Sequence, residues 1–346
     1  MSDVIATRDR DLGGFIPGRP LESYQSRFAG HFALNRRDGV LIIRAHRDGQ
    51  PALWSRGLLN AWNLLLAEAG ADRDNELIII TGTGDSWLAG AEAASFAQPV
   101  SDWHSDLIDE QYNDGVKILE RLVLDIDVPT IAAINGPGPR LELPLLCDLT
   151  LCAPDVVFGD GNFNAGSVPG DGMYLVLREL VGVKRANQVV YTGQGITARE
   201  AGHLGIVNEV LPREDLLPRA LDLAAQIMSR PRTARHLTHG LVARTWQRSL
   251  LTGLRDSYAH QLLAMTGEHR PDKPPAFNSP EVLANLLCSP GCDLAPIREN
   301  THSVPRERWD ADSMAARRGN RPVQPLRARS AKASRAWVTS LATQTM

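Results

Sequence analysis

The sequence has little that would direct it to a membrane, to nucleic acid or out of the cell. It contains no run of about 18 apolar residues, so no transmembrane helix is predicted. The first residues, MSDVIATRDRDLGG, are charged and lack the apolar stretch of a secretory signal. The net charge of −3 gives no overall attraction to nucleic acid or to a membrane surface. We therefore expect a cytoplasmic protein that binds neither.

Cysteine is also scarce, with four in 346 residues. Cys147 and Cys152 lie in apolar surroundings and are predicted to be buried thiols in a reducing compartment. Cys288 and Cys292 form CSPGC, but no His/Cys pair at matching spacing accompanies them. The sequence therefore predicts no zinc site, no other metal and no cofactor.

What is present is the pattern of an α/β protein. Hydrophobic residues make up 43% and charged residues 22%, as in ordinary soluble globular proteins. Apolar runs predict strands at 39–47, 75–84 and 128–135, and helical spacing predicts helices at 58–72 and 101–124. Strands that alternate with helices in this way favour an α/β fold.

Four regions follow from the composition. Residues 1–30 form a polar lead-in, 31–211 the α/β core, and 212–268 a helical region of the kind that commonly packs on a neighbouring subunit. In 269–346 proline is frequent, the apolar periodicity fades, and from Ser313 onward every charged side chain is Arg or Lys. We expect this region to be a mostly disordered, solvated extension. Its basic end could touch nucleic acid, but it lacks the interleaved aromatic residues or the fold that would support recognition.

Three stretches of the core resemble the signatures of the crotonase (enoyl-CoA hydratase/isomerase) superfamily. They are LIIITGTGDSWLAGAEAASF, VPTIAAINGP with the following CDLTLCAPDVVFG, and GSVPGDGMYLVLRELVG with VVYTGQGITAREAGHLGIVNEV. The resemblance covers about residues 36–265 and implies a spiral of ββα units, assembled into homotrimers or hexamers. Within the superfamily, LW at 53–54, VPGDG at 168–172 and NEVLPREDLLPRA are similar to the β-diketone hydrolase branch that includes 6-oxocamphor hydrolase. Members of that branch cleave a cyclic diketone by a retro-Claisen reaction without coenzyme A.

The resemblance implies an oxyanion hole, and this sequence departs from the usual one. The first backbone N–H is that of Ala91, whereas the position of the second holds Pro139, which has no N–H. Arg140 stands where the diketone hydrolase has a histidine; it can stabilise an oxyanion but cannot act as a base. Arg140 either replaces the missing donor, or points to solvent, or pairs with Glu142 or an aspartate.

Two carboxylates are the predicted acid/base residues. Glu142 matches the glutamate that holds the attacking water in hydratases; the alternative is an ion pair with Arg140. Asp171 matches a site aspartate of the diketone hydrolase, where an apolar pocket could bring its pKa into a useful range; the alternative is a turn or helix cap.

Three more residues take binding or altered roles by the same resemblance. Asn162 occupies the place of a catalytic histidine or glutamate and can orient a carbonyl or a water, or simply satisfy a turn. Trp54 matches a pocket tryptophan whose indole N–H can donate to a substrate carbonyl, or it packs in the core. Gln261 stands at the place of a further site glutamate.

The sequence therefore predicts an enzyme of small carbonyl compounds, performing retro-Claisen hydrolysis of a cyclic β-diketone. Hydration or isomerisation of an acyl-CoA, with Glu142 as base, is a second hypothesis. A third is a diverged, non-catalytic subunit whose basic tail contacts a partner.

Overall fold

The computed structural model describes residues 20–96 and 104–267. The predicted tail at 269–346, with Cys288 and Cys292, lies outside the described residues, as does most of the lead-in. Within the described part, no helix is both long enough and apolar enough to cross a membrane.

A mostly parallel sheet forms the centre of the described residues. Its strand order is β1-β2-β3-β4-β5-β8, and β6 and β7 form a separate pair. The strands are β1 Phe32–Arg37, β2 Val40–Ala45, β3 Leu77–Thr81, β4 Thr130–Ile134, β5 Leu149–Cys152, β6 Val157–Phe158, β7 Ile196–Thr197 and β8 Glu209–Val210. β1 is antiparallel to β2, and the following pairs of the large sheet are parallel. The α/β class predicted from the sequence is confirmed.

Helices cover the sheet and explain the composition of its central strands. They are α1 Arg56–Ala71, α2 Ser105–Asp114, α3 Lys117–Leu124, α4 Glu142–Leu145, α5 Met173–Thr192, α6 Ala198–Leu204, α7 Arg213–Met228, α8 Arg232–Val242 and α9 Arg244–Gly267. Every residue of β3 and β4 is buried, which is why these strands read as continuous apolar runs rather than as alternating ones. Cys147 and Cys152 are buried thiols, as predicted.

The sequence predicts one helix at 101–124, but the structure has two, α2 and α3, so the prediction of a single continuous helix was wrong. The chain leaves helical geometry at Val116, where φ is −114° and ψ is 0°. The residue before it, Gly115, lies against Tyr258 of α9, and a Cβ at this position would be 2.2 Å from the tyrosine hydroxyl. The break therefore lets α9 approach closely, a contact that periodicity alone does not reveal.

α5 consists of two helical segments that meet at a kink. Gly182, at the junction, has φ 76° and ψ 162°, a conformation outside the helical region. At the N-terminal side, two short 3-10 turns bury Leu21, Tyr24 and Phe28 against the core, and the Tyr24 hydroxyl donates to Asp72 Oδ2 over 3.0 Å. Residues 20–28 thus contribute to the core, although their sequence is mostly polar.

Asn135 ties together the two turns that follow β3 and β4. Its Oδ1 accepts the Gly82 N–H at 3.0 Å, and its Nδ2 donates to the carbonyls of Gly84 and Ser86, each at 2.9 Å. Because the carboxyl ends of parallel strands lie at one edge of the sheet, this bracing holds the turn after β4 in place there.

Candidate active site

The turn after β4 is pressed against the segment that leads to Ala91. A Cβ on Gly138 would lie 2.5 Å from both the backbone nitrogen and the carbonyl oxygen of Leu88, so only glycine allows this approach. Pro139 follows and supplies no N–H. Arg140 then has φ 63°, a left-handed conformation that is uncommon for a residue with a side chain. The backbone of this turn is therefore specifically shaped, and its first side chain of chemical interest is an arginine.

Arg140 lies between two carboxylates and does not extend into bulk solvent. Its Nε is 2.7 Å from Glu142 Oε1, and its Nη1 is 2.9 Å from Asp171 Oδ2. The guanidinium carbon lies 5.0 Å from the centroid of the Trp54 ring, within the range of a cation–π contact. The arginine side chain is 10% exposed. Of the alternatives drawn from the sequence, Arg140 therefore takes the paired one, with both acidic residues at once.

One donor of this arginine remains available. Nη2 is buried and donates no hydrogen bond to the described residues. Burial lowers the pKa of Arg140, but Glu142 and Asp171 raise it by more, so the net direction is upward and the side chain stays charged. A permanent cation with a spare donor is suited to stabilising negative charge on a ligand oxygen.

Glu142 begins α4 and is buried. Burial raises its pKa to about 7, since the opposing effect of Arg140 is smaller and the charge of Asp171 adds to the increase. A carboxyl group that titrates near neutrality can both take and return a proton. Glu142 thus combines an ion pair with the properties of an acid/base residue.

Asp171 is held in the site by the glycines on each side of it. A Cβ on Gly170 would lie 2.2 Å from the Ser257 carbonyl oxygen. Gly172 has φ +116°, and its Cβ would lie 2.4 Å from Leu119 Cδ1. Asp171 does not cap α5, whose N-cap is Gly172. Instead its Oδ2 contacts Arg140 and its Oδ1 accepts from Asn162 Nδ2 at 3.3 Å.

Asn162 connects Asp171 with α9. Its Oδ1 accepts from Gln261 Nε2 at 3.1 Å, so its amide nitrogen faces Asp171. Gln261 is buried, and its Oε1 has no hydrogen-bond partner among the described residues. A continuous chain of contacts therefore runs from α9 through Asn162, Asp171 and Arg140 to Glu142.

Two buried residues at this cluster were not predicted as site residues. Asp160 follows β6, and burial together with the charge of Asp171 raises its pKa to about 7. Burial raises the pKa of Tyr258 on α9 to about 12. The charge of Arg140 lowers this pKa and the charge of Asp171 raises it. The glycine-flanked Asp160, two residues after an apolar strand, was a usable signal for the first residue. No local pattern identifies Tyr258, because its position depends on the packing of α9.

Ala91 and Trp54 belong to the same strip of backbone. Trp54 N–H donates to the Gly90 carbonyl and its carbonyl accepts from Glu92 N–H, both at 2.8 Å, as in a parallel bridge to Ala91. In such a bridge the N–H of Ala91 points away from Trp54. It donates to no other backbone group among the described residues. The Trp54 side chain is buried in the core and also borders Arg140, so both roles considered from the sequence are compatible with its position.

Comparisons with known proteins identify the family of this chain. Residues 36–268 match the family model described as "Enoyl-CoA hydratase/isomerase". A probable mitochondrial enoyl-CoA hydratase of Dictyostelium discoideum is 30% identical over 222 residues, covering 64% of this chain and 78% of the relative. A crotonyl-CoA hydratase of Syntrophomonas wolfei is 39% identical over 166 residues, covering 47% of this chain and 62% of the relative.

Among solved structures, a β-diketone hydrolase of the cyanobacterium Anabaena sp. PCC 7120, bound to (S)-3-oxocyclohexyl acetic acid, superposes with a TM-score of 0.68. It is 28% identical, and the match covers 73% of this chain and 100% of that one. An enoyl-CoA hydratase/isomerase of Mycobacterium paratuberculosis, 22% identical with a TM-score of 0.65 over 74% of this chain and 98% of its own, shares the fold. The resemblance seen in the sequence is confirmed, and the chain belongs to the enoyl-CoA hydratase/isomerase family of the crotonase superfamily.

Proposed function

We propose that this protein hydrolyses a carbon–carbon bond of a cyclic β-diketone by a retro-Claisen reaction that does not use coenzyme A. The observation that carries the proposal is the position of Arg140 in the oxyanion turn. It directly follows Pro139, which removes the usual amide donor, and it keeps one buried donor, Nη2, without a partner among the described residues. The similarity to the Anabaena β-diketone hydrolase supports the same reaction.

The reaction needs negative charge to be stabilised twice. The oxygen of water adds to one carbonyl carbon and creates a tetrahedral oxyanion. The bond from that carbon to the central carbon then breaks, its electron pair forming an enolate on the second carbonyl. Arg140 and the N–H of Ala91 are the donors assigned to these oxyanions; one such donor contributes on the order of 10²–10³ in kcat.

The two carboxylates carry the proton. Glu142 takes a proton from the attacking water, and the proton is returned to the central carbon, so the products are a ketone and a carboxylic acid in one molecule. Asp171, whose side chain is 23% exposed, is the carboxylate more accessible to a ligand, and Asn162 and Arg140 fix its orientation. The guanidinium group of Arg140 lies over the ring of Trp54, and this contact helps to hold it in position.

The product class follows from this chemistry. The acid bound to the Anabaena enzyme, (S)-3-oxocyclohexyl acetic acid, is the kind of oxo acid that results when a bicyclic β-diketone is opened by water. A bicyclic β-diketone that opens to this acid is therefore the first substrate to test, followed by monocyclic β-diketones.

The experiment is turnover of this diketone in ¹⁸O-labelled water by the full chain. We expect one labelled oxygen in the new carboxyl group and none in the ketone beyond background exchange. Glu142→Gln and Asp171→Asn should each lower kcat by about 100-fold or more, the scale of lost general acid/base catalysis. Asp38→Asn, at a side chain that is 77% exposed, is the matched control and should turn over like the wild type. Absence of turnover with every diketone, while an enoyl-CoA is hydrated, would contradict the proposal.

A second candidate is hydration of an enoyl-CoA with Glu142 as base. It is favoured by the buried Glu142, whose pKa is raised to about 7, and by the relatives named enoyl-CoA hydratases. Pro139 counts against it, because a thioester oxygen would lose one of two amide donors. An assay with crotonyl-CoA distinguishes the two functions, because hydration removes the conjugated double bond and its absorbance. The non-catalytic alternative depends on the basic tail, which lies outside the described residues.

We further propose that the chain assembles as a homotrimer or hexamer through its C-terminal helices. Leu237 and Leu241, one turn apart on α8, are 67% and 61% exposed, and Leu251 on α9 is 66% exposed. Exposed leucines of this kind are typical of helices that pack on a partner. Light scattering of the wild type should give a multiple of the chain mass, and the double variant Leu237→Glu, Leu241→Glu should give the mass of one chain.

A further inference from the structure

Three carboxyl groups share a single cation in the active site. Glu142 and Asp171 contact Arg140 directly, and Asp160 lies close enough for its pKa to respond to both Arg140 and Asp171. If all three were ionised, the buried cluster would carry a charge of −2, which is costly in a site of low dielectric constant. The cluster is therefore expected to hold at least one proton at neutral pH.

Asp160 is the member whose negative charge is least compensated. Its Oδ1 accepts the backbone N–H of Asn162 at 2.8 Å, whereas its Oδ2 is buried and accepts no hydrogen bond from the described residues. Asp171 differs, since Arg140 donates to one of its oxygens and Asn162 to the other. Glu142 differs too, because Arg140 contacts it directly. A proton on Asp160 removes the uncompensated charge at no cost to any ion pair.

The groups that face Asp160 come from three parts of the fold. Arg140 and Glu142 lie on the turn after β4 and the start of α4, and Asp171 lies in the loop before α5. From α9, Gln261 is uncharged and Tyr258 stays neutral at physiological pH because burial raises its pKa. Arg140 is thus the one positive charge that acts on Asp160 among these groups, and it is already paired with two other carboxylates.

We propose that Asp160 is a positioning residue that holds a proton on the acid side of neutrality, so that the charge of Arg140 then acts on Glu142, Asp171 and the reacting oxygen alone. The part of this proposal that concerns rate depends on the proposed function; the part that concerns protonation does not. Burial and the charge of Asp171 both act to keep the proton on Asp160. When Asp160 ionises at higher pH, a further negative charge opposes the stabilisation of an oxyanion by Arg140. Activity should therefore fall on the alkaline side as Asp160 loses its proton.

The kinetic test uses Asp160→Asn, which is permanently neutral, has nearly the same shape and can still accept the Asn162 N–H. We compare kcat/KM for the bicyclic β-diketone at about pH 6 and about pH 9. The ratio of the alkaline to the acidic value is expected to be at least about fivefold higher in the variant than in the wild type. An unchanged ratio would overturn the positioning role, because a purely structural contact has no reason to alter the pH profile.

The protonation test needs no substrate. Infrared titration should show the C=O stretch of a protonated, buried carboxyl group that disappears as the pH rises through about 7. In Glu142→Gln, where the other carboxyl of raised pKa is removed, this band should persist, and it should be lost in the double variant that adds Asp160→Asn. Absence of the band in Glu142→Gln would overturn the proposal even if Asp160→Asn did not fold. If no diketone is turned over, the proposed function fails and the infrared result still decides the state of Asp160.

Discussion

Arg140 and Asp171 lie 31 residues apart in the sequence and are joined by a contact of 2.9 Å between Nη1 and Oδ2. This contact connects the turn after β4 with the glycine-flanked loop before α5. On its other side Arg140 contacts Glu142, so a single side chain organises both predicted acid/base residues. The turn offers no N–H at Pro139 and presents a cation that is held by two carboxylates.

The first prediction concerns the removal of this cation. Arg140→Gln is expected to lower kcat/KM by about 100-fold or more, since it removes the charge assigned to the oxyanion. Leaving two carboxylates without their buried partner should also lower the free energy of unfolding by about 3–5 kcal/mol. Steady-state kinetics and urea denaturation measure the two effects.

Two further variants make this result interpretable. Arg140→Lys keeps the charge but cannot contact Glu142 and Asp171 in the same way, so it should retain part of the stability and little of the activity. Arg37→Gln, at a side chain that is 90% exposed, should change neither. Wild-type kcat/KM in Arg140→Gln would exclude Arg140 from the reaction.

A second prediction concerns Gln261, which acts on the site through Asn162. Gln261→Met has a similar shape but cannot donate to Asn162 Oδ1. The asparagine amide would then be free to turn its oxygen toward Asp171, weakening the orientation of that carboxylate. We expect kcat to fall between about twofold and tenfold, corresponding to about 0.5–1.5 kcal/mol for one hydrogen bond, with little change in KM. Gln194→Met, at an exposed position, serves as the control; a fall in thermal stability with unchanged kcat would mean that Gln261 is merely structural.

Much of this site could be predicted from the sequence because its parts lie next to strand ends. Glu142 and Arg140 lie just beyond the short turn that follows the apolar run of β4, and Asp171 stands between two glycines before a strongly helical segment. Strand periodicity places such residues at the sheet edge, and family resemblance supplies their possible roles. The pairing itself remained open: Arg140 could have faced solvent, and only the tertiary fold brings Asp171 to it.

The parts that could not be predicted depend on α9. This helix packs against residues that lie more than 80 positions earlier in the chain. Its packing explains the helix break next to Gly115, the burial of Tyr258 and the contact of Gln261 with Asn162. Helical periodicity identifies α9 as amphipathic but does not say which surface it covers. Asp160 was overlooked for a related reason, since its burial depends on neighbours from other parts of the chain.

A third prediction tests the close approach between the turn after β4 and Leu88. Gly138→Ala would place a Cβ 2.5 Å from the Leu88 backbone, which neither segment can relieve by moving a side chain. We expect a loss of at least about 2 kcal/mol in the free energy of unfolding, as for other overpacked interior sites. Gly240→Ala, in α8 with no atom within 4 Å of its Cβ, should instead be neutral or stabilising by up to about 1 kcal/mol. Equal effects of the two substitutions in chemical denaturation would show that the turn is not closely packed.

The last prediction concerns pH and a histidine on the opposite edge of the sheet. His239 of α8 is buried, with Nδ1 at 3.0 Å from Asp148 Oδ2 and Nε2 at 3.1 Å from the Ile126 carbonyl oxygen. Both neighbours are acceptors, so the imidazolium, with two N–H groups, satisfies both. Burial lowers the pKa of His239, but the hydrogen bond and charge of Asp148, together with the Ile126 carbonyl, raise it by more, and the net direction is upward.

A raised pKa in the folded state fixes the sign of the effect. The stabilisation is fully present below the pKa of an unfolded histidine, about 6.5, and is lost as the pH rises through the higher folded value. His239→Gln should therefore be less stable than the wild type by about 1.5–3 kcal/mol at about pH 6, the scale of a hydrogen bond to a charged group. The difference should shrink at about pH 9. Urea denaturation at both pH values measures it, with the exposed His203→Gln expected to show no such dependence. A difference that stays constant with pH would contradict a raised pKa of His239 in the folded state.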